Sequence, residues 1–491
     1  MPADEPTRWE PAWIAQQADR FRYALLGLAA VLFAATCTLR WRPGNDSAEL
    51  LVIARLLNQN GNFRTLGGYH EGVMPGYPWL LAWLDRIGDA ATLALVLHAI
   101  AFAAWVAFVF LWVRARFDRP TAVVVAAMCA LSARTMEAAA NVLPGMLFAT
   151  LLAALLWWEA TPRRAVLRWV VVALLLGAML SLRSVGVLVA GGWLFSIGWQ
   201  VWRRPSHTTG LGSRRTVQTA TLAAMFGVSV ALALLVPALR QDLSALFNDW
   251  GSHGLAGVAS ATSEAIFRSV PEAILGIDPT PYGGPVLIAA AAWGWVLLIR
   301  RDGLAACVVF ALALPWFLFL ATPRYVVPAL PALYLGLWLL VNAWHRRWPS
   351  GRVWIALAFA VVVVGNLVGI GRLIHEQRQT DFLNTYRDGR YVTARAAADW
   401  LADETTRGTR VVCTTRDKAV LSHWSGRAVL DSLSTPAENA GRLLLVEPVD
   451  DAFREAMGGQ GWSLSEPLAE FEPAAGRSPW TLREVIRPDR P

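Results

Sequence analysis

A carboxylate at the mouth of an apolar segment is costly to desolvate unless a partner or a reaction uses its charge. Asp46 is such a carboxylate: it sits in Asn45-Asp46-Ser47-Ala48-Glu49, directly after the first long apolar run. An acid in that place can take the proton of an attacking hydroxyl, the work of a general base. A structural reading stands beside this one. Glu49 follows three residues later, the capping-box spacing, which makes Asp46 an N-cap with Leu50, Ile53, Ala54 and Leu57 on one face of a helix ending at Asn60-Gly61. Such a helix beside the first span is expected to lie in the membrane interface and roof a pocket, with Glu49 lining it.

Further along, Tyr69-His70-Glu71 and Met74-Pro75-Gly76-Tyr77-Pro78 fix the chain in a non-helical path, which is tolerated near membrane depth where it lines a cavity or is buried in protein. Tyr69, His70, Glu71 and Tyr77 are therefore pocket candidates. His70 and Glu71 could join Asp46 around a divalent metal, but adjacent residues point apart and no further His stands at ligand spacing, so a surface pair is the stronger reading. No cofactor is assigned, and metal dependence stays open. Three charges stand at span ends on the same side as Asp46: Glu137, Arg183, and Arg324 in Thr322-Pro323-Arg324-Tyr325. One interfacial Arg ordinarily snorkels to headgroups. Two beside a carboxylate suit a phosphate, whose oxygens a guanidinium matches bidentately.

The elements that hold these residues follow from composition. Of 491 residues 55% are hydrophobic and 16% charged, with mean hydropathy +0.41, more apolar surface than a soluble domain of this size can bury. The chain reads as an all-α polytopic membrane protein. About eleven spans meet the length requirement of roughly 20 residues. They are 22–39, 91–113, 120–136, 143–158, 166–182, 185–202, 217–239, 285–299, 304–321, 325–344 and 353–371. With residues 1–21 cytoplasmic, every basic cluster between spans falls on one side, apart from Arg40 and Arg42. The long loop 40–90, Glu137, Arg183 and Arg324 then face outward from a cell inner or plasma membrane.

The net charge of +8 is accounted for by those loop arginines, which leaves no nucleic-acid patch. Three of the four cysteines lie in apolar runs and form no disulfide framework or metal knuckle. Beyond the 22–371 membrane domain, residues 372–491 alternate helix-like and strand-like segments, which predicts a small α/β extracytoplasmic domain.

Taken together, the Asp-bearing loop after the first span, the Pro-Gly-Tyr-Pro turn, the Arg after the fifth span and Pro323-Arg324-Tyr325-Val326-Val327-Pro328-Ala329-Leu330-Pro331 resemble the GT-C glycosyltransferases. Within these the pattern is closest to the protein O-mannosyltransferase and lipid A aminoarabinose transferase group, over 22–344. The resemblance implies inverting transfer of a sugar from a polyprenyl phosphate donor to a lipid, protein or glycan acceptor at the outer face. It assigns Asp46 as base or acceptor-orienting carboxylate, with Glu137 or Asn141 in the place of a second acid. Arg324, with Arg183 and Tyr325, would stand at the lipid phosphate. The chain departs from the aminoarabinose transferases at Glu71-Gly72-Val73-Met74, where they carry Glu-Lys-Pro-Pro, and at Leu143 before Pro144. The alternative from another class is a secondary transporter or lipid-linked sugar flippase. It calls for paired broken helices in two halves, which the sequence does not display.

Overall fold

The computed structural model describes residues 19–39, 41–42, 44–60, 74–162, 165–203, 254, 257–279, 283–318, 323–347, 352–378, 391–406, 409–413, 417–430, 443–447, 455, 457, 462–471 and 479–486. In chain order the helices are α1 (Arg22–Thr36), α2 (Asn45–Asn60), α3 (Gly76–Asp85), α4 (Ala90–Arg116), α5 (Arg119–Ala130), α6 (Ala133–Ala139), α7 (Gly145–Ala160) and α8 (Ala165–Leu182). Then come α9 (Gly186–Arg203), α10 (Val270–Leu275), α11 (Gly283–Arg301), α12 (Gly303–Leu318), α13 (Leu330–Arg347), α14 (Arg352–Arg378), α15 (Val392–Glu404) and α16 (Lys418–Ser425). Each apolar segment expected from the sequence falls on these helices, 120–136 being divided between α5 and α6, except 217–239, which lies outside the described residues.

Among the described residues, four stretches are long and apolar enough to cross a membrane: Ala90–Arg116, Gly283–Arg301, Pro323–His345 and Leu357–Arg378. The pair α5 and α6 makes a fifth if read as one span bent by 60°. The other apolar helices, α1, α7, α8, α9 and α12, stop short of that length within the described residues.

The break between α5 and α6 corrects the expectation of one straight span over 120–136. Ser132 restarts the helix, its hydroxyl accepting from the Thr135 amide. The exposed backbone at the break then needs partners, because an apolar surround offers no water. Asn366 on α14 supplies them: its Oδ1 accepts from Ala133 N–H at 2.9 Å, and its Nδ2 donates to Ile274 C=O, at the end of α10, also at 2.9 Å. Gly276 closes α10 in the left-handed region at φ 75°, and a Cβ there would lie 2.7 Å from Asn366 Oδ1. One amide thus terminates two helices.

The bundle closes by intimate packing of α4 on α7 and α5, α9 on α12, and α11 on α13. At the last contact Gly294 and Gly336 meet backbone to backbone, since a Cβ on Gly294 would stand 2.4 Å from the Gly336 carbonyl. Trp105, Trp112, Trp338, Phe148 and Met136 fill the interior. Trp112 Nε1 donates to the buried Asp302 at 2.9 Å, so a tryptophan deep in the core keeps its polar handle satisfied.

The connection after α1 is bolted to the end of α14. Thr38 Oγ1 donates to Gln377 at 2.9 Å, and buried Arg42 pairs with Glu376 at 2.6 Å. Arg42 therefore answers a specific carboxylate, which explains why it breaks the one-sided pattern of the other loop arginines. From this anchored point the chain enters α2. Helix α2 is covered by protein: Leu50, Leu51, Val52, Ile53, Ala54 and Leu57 are all buried, under α3 on one side and α16 on another. Apolar residues on more than one face leave a helix no choice but a covered one.

After α14, which runs seven residues beyond the expected boundary at 371, the chain builds a sheet of six strands. These are β1 (Arg410–Cys413), β2 (Ala428–Leu430), β3 (Leu443–Glu447), β4 (Ser463–Leu464), β5 (Ala469–Phe471) and β6 (Trp480–Ile486). β1 pairs in parallel with β2 and β3, and β6 runs antiparallel to β3, β4 and β5. Strands β1 and β3 read Arg-Val-Val-Cys and Leu-Leu-Leu-Val-Glu, the near-continuous apolar runs of strands covered on both faces. α15 and α16 pack on each other.

Candidate active site

Helix α2 begins at Asn45, two residues earlier than the capping reading requires, so Asp46 stands inside the first turn. Gly44 C=O accepts from Ala48 N–H at 2.8 Å and from the Ser47 hydroxyl at 2.9 Å, which closes that turn without the Asp46 side chain. The Asp46 carboxylate reaches instead to Arg324, Oδ2 to Nη2 at 2.8 Å. They come from residues 278 positions apart in the chain, and each is about half exposed, 56% for Asp46 and 48% for Arg324. An ion pair open to solvent contributes only about 0–1 kcal/mol to folding. Stability is thus a weak reason for its presence.

Arg324 owes its position to a refolding of the late proline string. The span expected from 325 begins as two 3-10 turns, Pro323–Tyr325 and Val327–Ala329, before α13 starts at Leu330. Prolines interrupt the helical hydrogen-bond ladder, and the tight turns leave Arg324 exposed with Tyr325 half-buried against the bundle core. Arg183 also reaches Tyr325. Its guanidinium carbon is 4.6 Å from the ring centroid, and that of Arg324 is 5.1 Å. Arg324 Nη2 also donates to the Tyr325 hydroxyl at 3.3 Å. Two cations share one aromatic ring, with one carboxylate beside them.

The tight connection from α8 to α9 holds Arg183. Its N–H donates to Met179 C=O and its C=O accepts from Gly186 N–H, both at 3.0 Å. Gly186 has no alternative there, since a Cβ would stand 2.8 Å from Leu180 N. The start of α3 presses on the same turn: a Cβ on Gly76 would lie 2.5 Å from Ser181 Oγ and 2.7 Å from Ser181 C=O. The Gly in the Pro-Gly-Tyr-Pro turn is thus what lets the first loop approach Arg183. Burial pulls the Arg183 guanidinium below its usual range, opposed by the nearby Tyr325 and by the charge of Asp46. It stays a cation, because arginine does not deprotonate in proteins.

Glu49, one turn after Asp46, is half-buried. Burial, reinforced by the Asp46 charge and opposed by Lys418 on α16, pushes its carboxyl up to about 7. The neighbouring acids of α2 therefore differ in kind, one ion-paired and open, the other holding its proton near neutrality.

The remaining predicted residues are placed elsewhere. Glu137 on α6 is bonded by Arg134, which also bonds Glu272 on α10. Among the described residues Glu137 forms no ion pair or hydrogen bond with Asp46 or Arg324, although α6 and α10 both pack against the turn that carries Arg324. Tyr77 is fully buried beneath α2, its hydroxyl 3.1 Å from His98 Nε2, so it belongs to the core between α3 and α4. Tyr69, His70 and Glu71 lie outside the described residues. No group of three potential metal ligands occurs among the described residues. The sequence reading passed over Arg134, Glu272 and Lys418. Arg134 had a visible signal, a charge placed inside an apolar segment next to Ser132, which marks a break more readily than a span end. Lys418, 369 positions from Glu49, had none.

Neither a protein-family model nor a curated protein matches the sequence. Solved structures do match. ArnT from Cupriavidus metallidurans bound to undecaprenyl phosphate aligns over 94% of this chain and 97% of its own, with TM-score 0.56 and 15% identity. The oligosaccharyltransferase of Archaeoglobus fulgidus in its apo form aligns over 87% of this chain and 69% of its own, with TM-score 0.53 and 13% identity. The same archaeon's AglB in complex with an inhibitory peptide and a dolichol-phosphate aligns over 85% and 65%, with TM-score 0.50 and 11% identity. These proteins are GT-C fold glycosyltransferases. The chain has the GT-C fold. At such identities the likeness reaches the architecture of the bundle and its C-terminal unit, and the chemistry rests on the residues described above.

Proposed function

We propose that the chain is an integral membrane glycosyltransferase that moves a sugar from a polyprenyl phosphate to a hydroxyl-bearing acceptor at the outer face, with inversion. The observation that carries this reading is the cluster of Asp46, Arg324, Tyr325 and Arg183. Structural neighbours bound to undecaprenyl phosphate and to a dolichol-phosphate favour the same donor class.

Charge accounting gives the mechanism. Two guanidinium charges against the Asp46 carboxylate leave one positive charge, the complement of a phosphodiester monoanion. The acceptor oxygen attacks the anomeric carbon, the bond from that carbon to the phosphate oxygen breaks, and the acceptor proton passes to Asp46. The leaving lipid monophosphate then carries two charges. With Asp46 neutralised by the proton, both guanidinium charges face it, so each charge that develops meets one that is uncovered. An anionic leaving group of this kind needs no protonation, in contrast to glycoside hydrolysis with its acid and base pair.

On this reading residues 1–21 are cytoplasmic, 22–371 form the membrane domain, and 372–491 form an extracytoplasmic domain over α2. Glu49 lines the pocket. Glu137, tied to Arg134, supports the turn of Arg324, and Tyr69, His70 and Glu71 are substrate-pocket candidates from the sequence. The acceptor is a lipid, protein or glycan, and the location is the cell inner or plasma membrane. The test is binding of undecaprenyl phosphate to the full chain in nanodiscs, followed by native mass spectrometry. Arg324→Met should weaken binding on the order of tenfold or more, the loss of a charge-assisted contact. Unchanged binding would remove Arg324 from the donor site.

A further inference from the structure

Arg134 is the second residue of α6, just past the 60° break from α5, and its guanidinium is shared between two helices. It donates to Glu137 on α6 and to Glu272 on α10, 138 positions away, whose side chain is only 12% exposed. Both helices pack against the turn that carries Arg324: Pro323–Tyr325 rests on α6 and α10, and its continuation Val327–Ala329 rests on α6 and α7. The seat of Arg324 is made of separate pieces of chain.

Those pieces are fastened for stability at another point. Asn366 bonds Ala133 at the start of α6 and Ile274 near the end of α10, and the Tyr334 hydroxyl donates to the same Ile274 carbonyl at 3.1 Å. Gly365 and Gly369 on α14 let the end of α10 come close, since a Cβ on the first would stand 2.6 Å from Leu275 C=O and on the second 2.3 Å from Gly276 C=O. A largely buried ion pair adds little stability to such a joint, because desolvation offsets most of its attraction. What it adds is direction, since a guanidinium fork meets carboxylates along its own N–H bonds.

We propose that Arg134 is a positioning residue of the transfer site: bridged between Glu137 and Glu272, it fixes the spacing of α6 and α10 and thereby the pose of Arg324 and Tyr325 toward the donor phosphate. This rests on the reading of Arg324 as the phosphate-binding cation. Arg134 does not take the phosphate itself. Arg268 pairs with Glu264 at 3.7 Å, Asp278 at 3.5 Å and Glu272 at 3.9 Å, so among the described residues this network holds more carboxylates than guanidiniums. An anion is unwelcome there. Without the Arg134 charge, the two carboxylates that it holds repel each other and the seat of Arg324 widens.

The experiment is a double-mutant cycle on undecaprenyl phosphate affinity, read by native mass spectrometry of the full chain in nanodiscs. Arg134→Met should weaken binding on the order of fivefold, a size expected for coupling within one charge network. In the Arg324→Met background the same substitution should change nothing, because its effect passes through Arg324. Arg134→Glu combined with Glu272→Arg, which exchanges the charges across the joint, should recover most of the affinity that either change alone loses. Should Arg134→Met fail to fold, Glu272→Gln, which leaves Arg134 its bond to Glu137, is read in the same cycle. Unchanged affinity in these variants would overturn the proposal. Losses that add in the double variant would overturn it too, since Arg134 would then act on the donor without Arg324. If Arg324→Met itself leaves binding unchanged, the donor reading falls and takes this proposal with it, whereas a loss at Arg324 without one at Arg134 overturns this proposal alone.

Discussion

Replacing Asp46 by Asn should separate stability from activity. The pair with Arg324 joins two half-exposed side chains at 2.8 Å, and solvent screens it. Its removal should cost about 0–1 kcal/mol, a shift of at most roughly 1 °C in Tm for a chain of 491 residues. The same substitution removes the proton acceptor while keeping shape. Loss of a positioned general base lowers rates by about 10²–10⁴-fold. Affinity for undecaprenyl phosphate should hold or rise, since Arg324 is released from its carboxylate partner. The assay pairs thermal unfolding in nanodiscs with transfer from a panel of undecaprenyl phosphate pentoses and hexoses. Retained transfer would refute the base assignment. A fall in Tm of ten degrees or more would show that Asp46 is a structural residue and would undo the argument from its exposure.

Asn366→Ala should destabilise by roughly 1–3 kcal/mol, since the Ala133 N–H loses its side-chain acceptor in an apolar surround. Asn366→Asp, which sets a buried acid against the Ile274 and Val362 carbonyls in place of the amide donor, should not recover the loss in the same unfolding assay. The seam between α2 and α16 should loosen in acid. Burial, with the Arg55 charge, holds His423 down to about 4 in the folded chain, against an ordinary value of 6.5. The unfolded state therefore binds the proton first, so stability is full above pH 6.5 and is lost as pH falls from there toward 4. Hydrogen exchange of α16 between pH 7 and 4.5 should show this, and His423→Gln should flatten it.

Hydropathy and residue spacing were enough to place the apolar helices, because a run of about 20 apolar residues has few other ways to satisfy its backbone in lipid. Asp46, Arg183 and Arg324 were legible for a related reason: a charge at the end of such a run is conspicuous, and loop arginines report which side they share.

What the sequence could not supply was anything decided by two distant segments meeting. The burial of α2 depends on α16, more than 350 residues later, and no periodicity within α2 distinguishes a membrane surface from a protein cover. The bend at Leu131 and Ser132 persists because Asn366 on α14 satisfies the Ala133 amide there. The stacking of Arg183 and Arg324 on Tyr325 arises in the same way. Local chemistry fixes which residues are costly to bury, while only tertiary contact determines which partner offsets that cost.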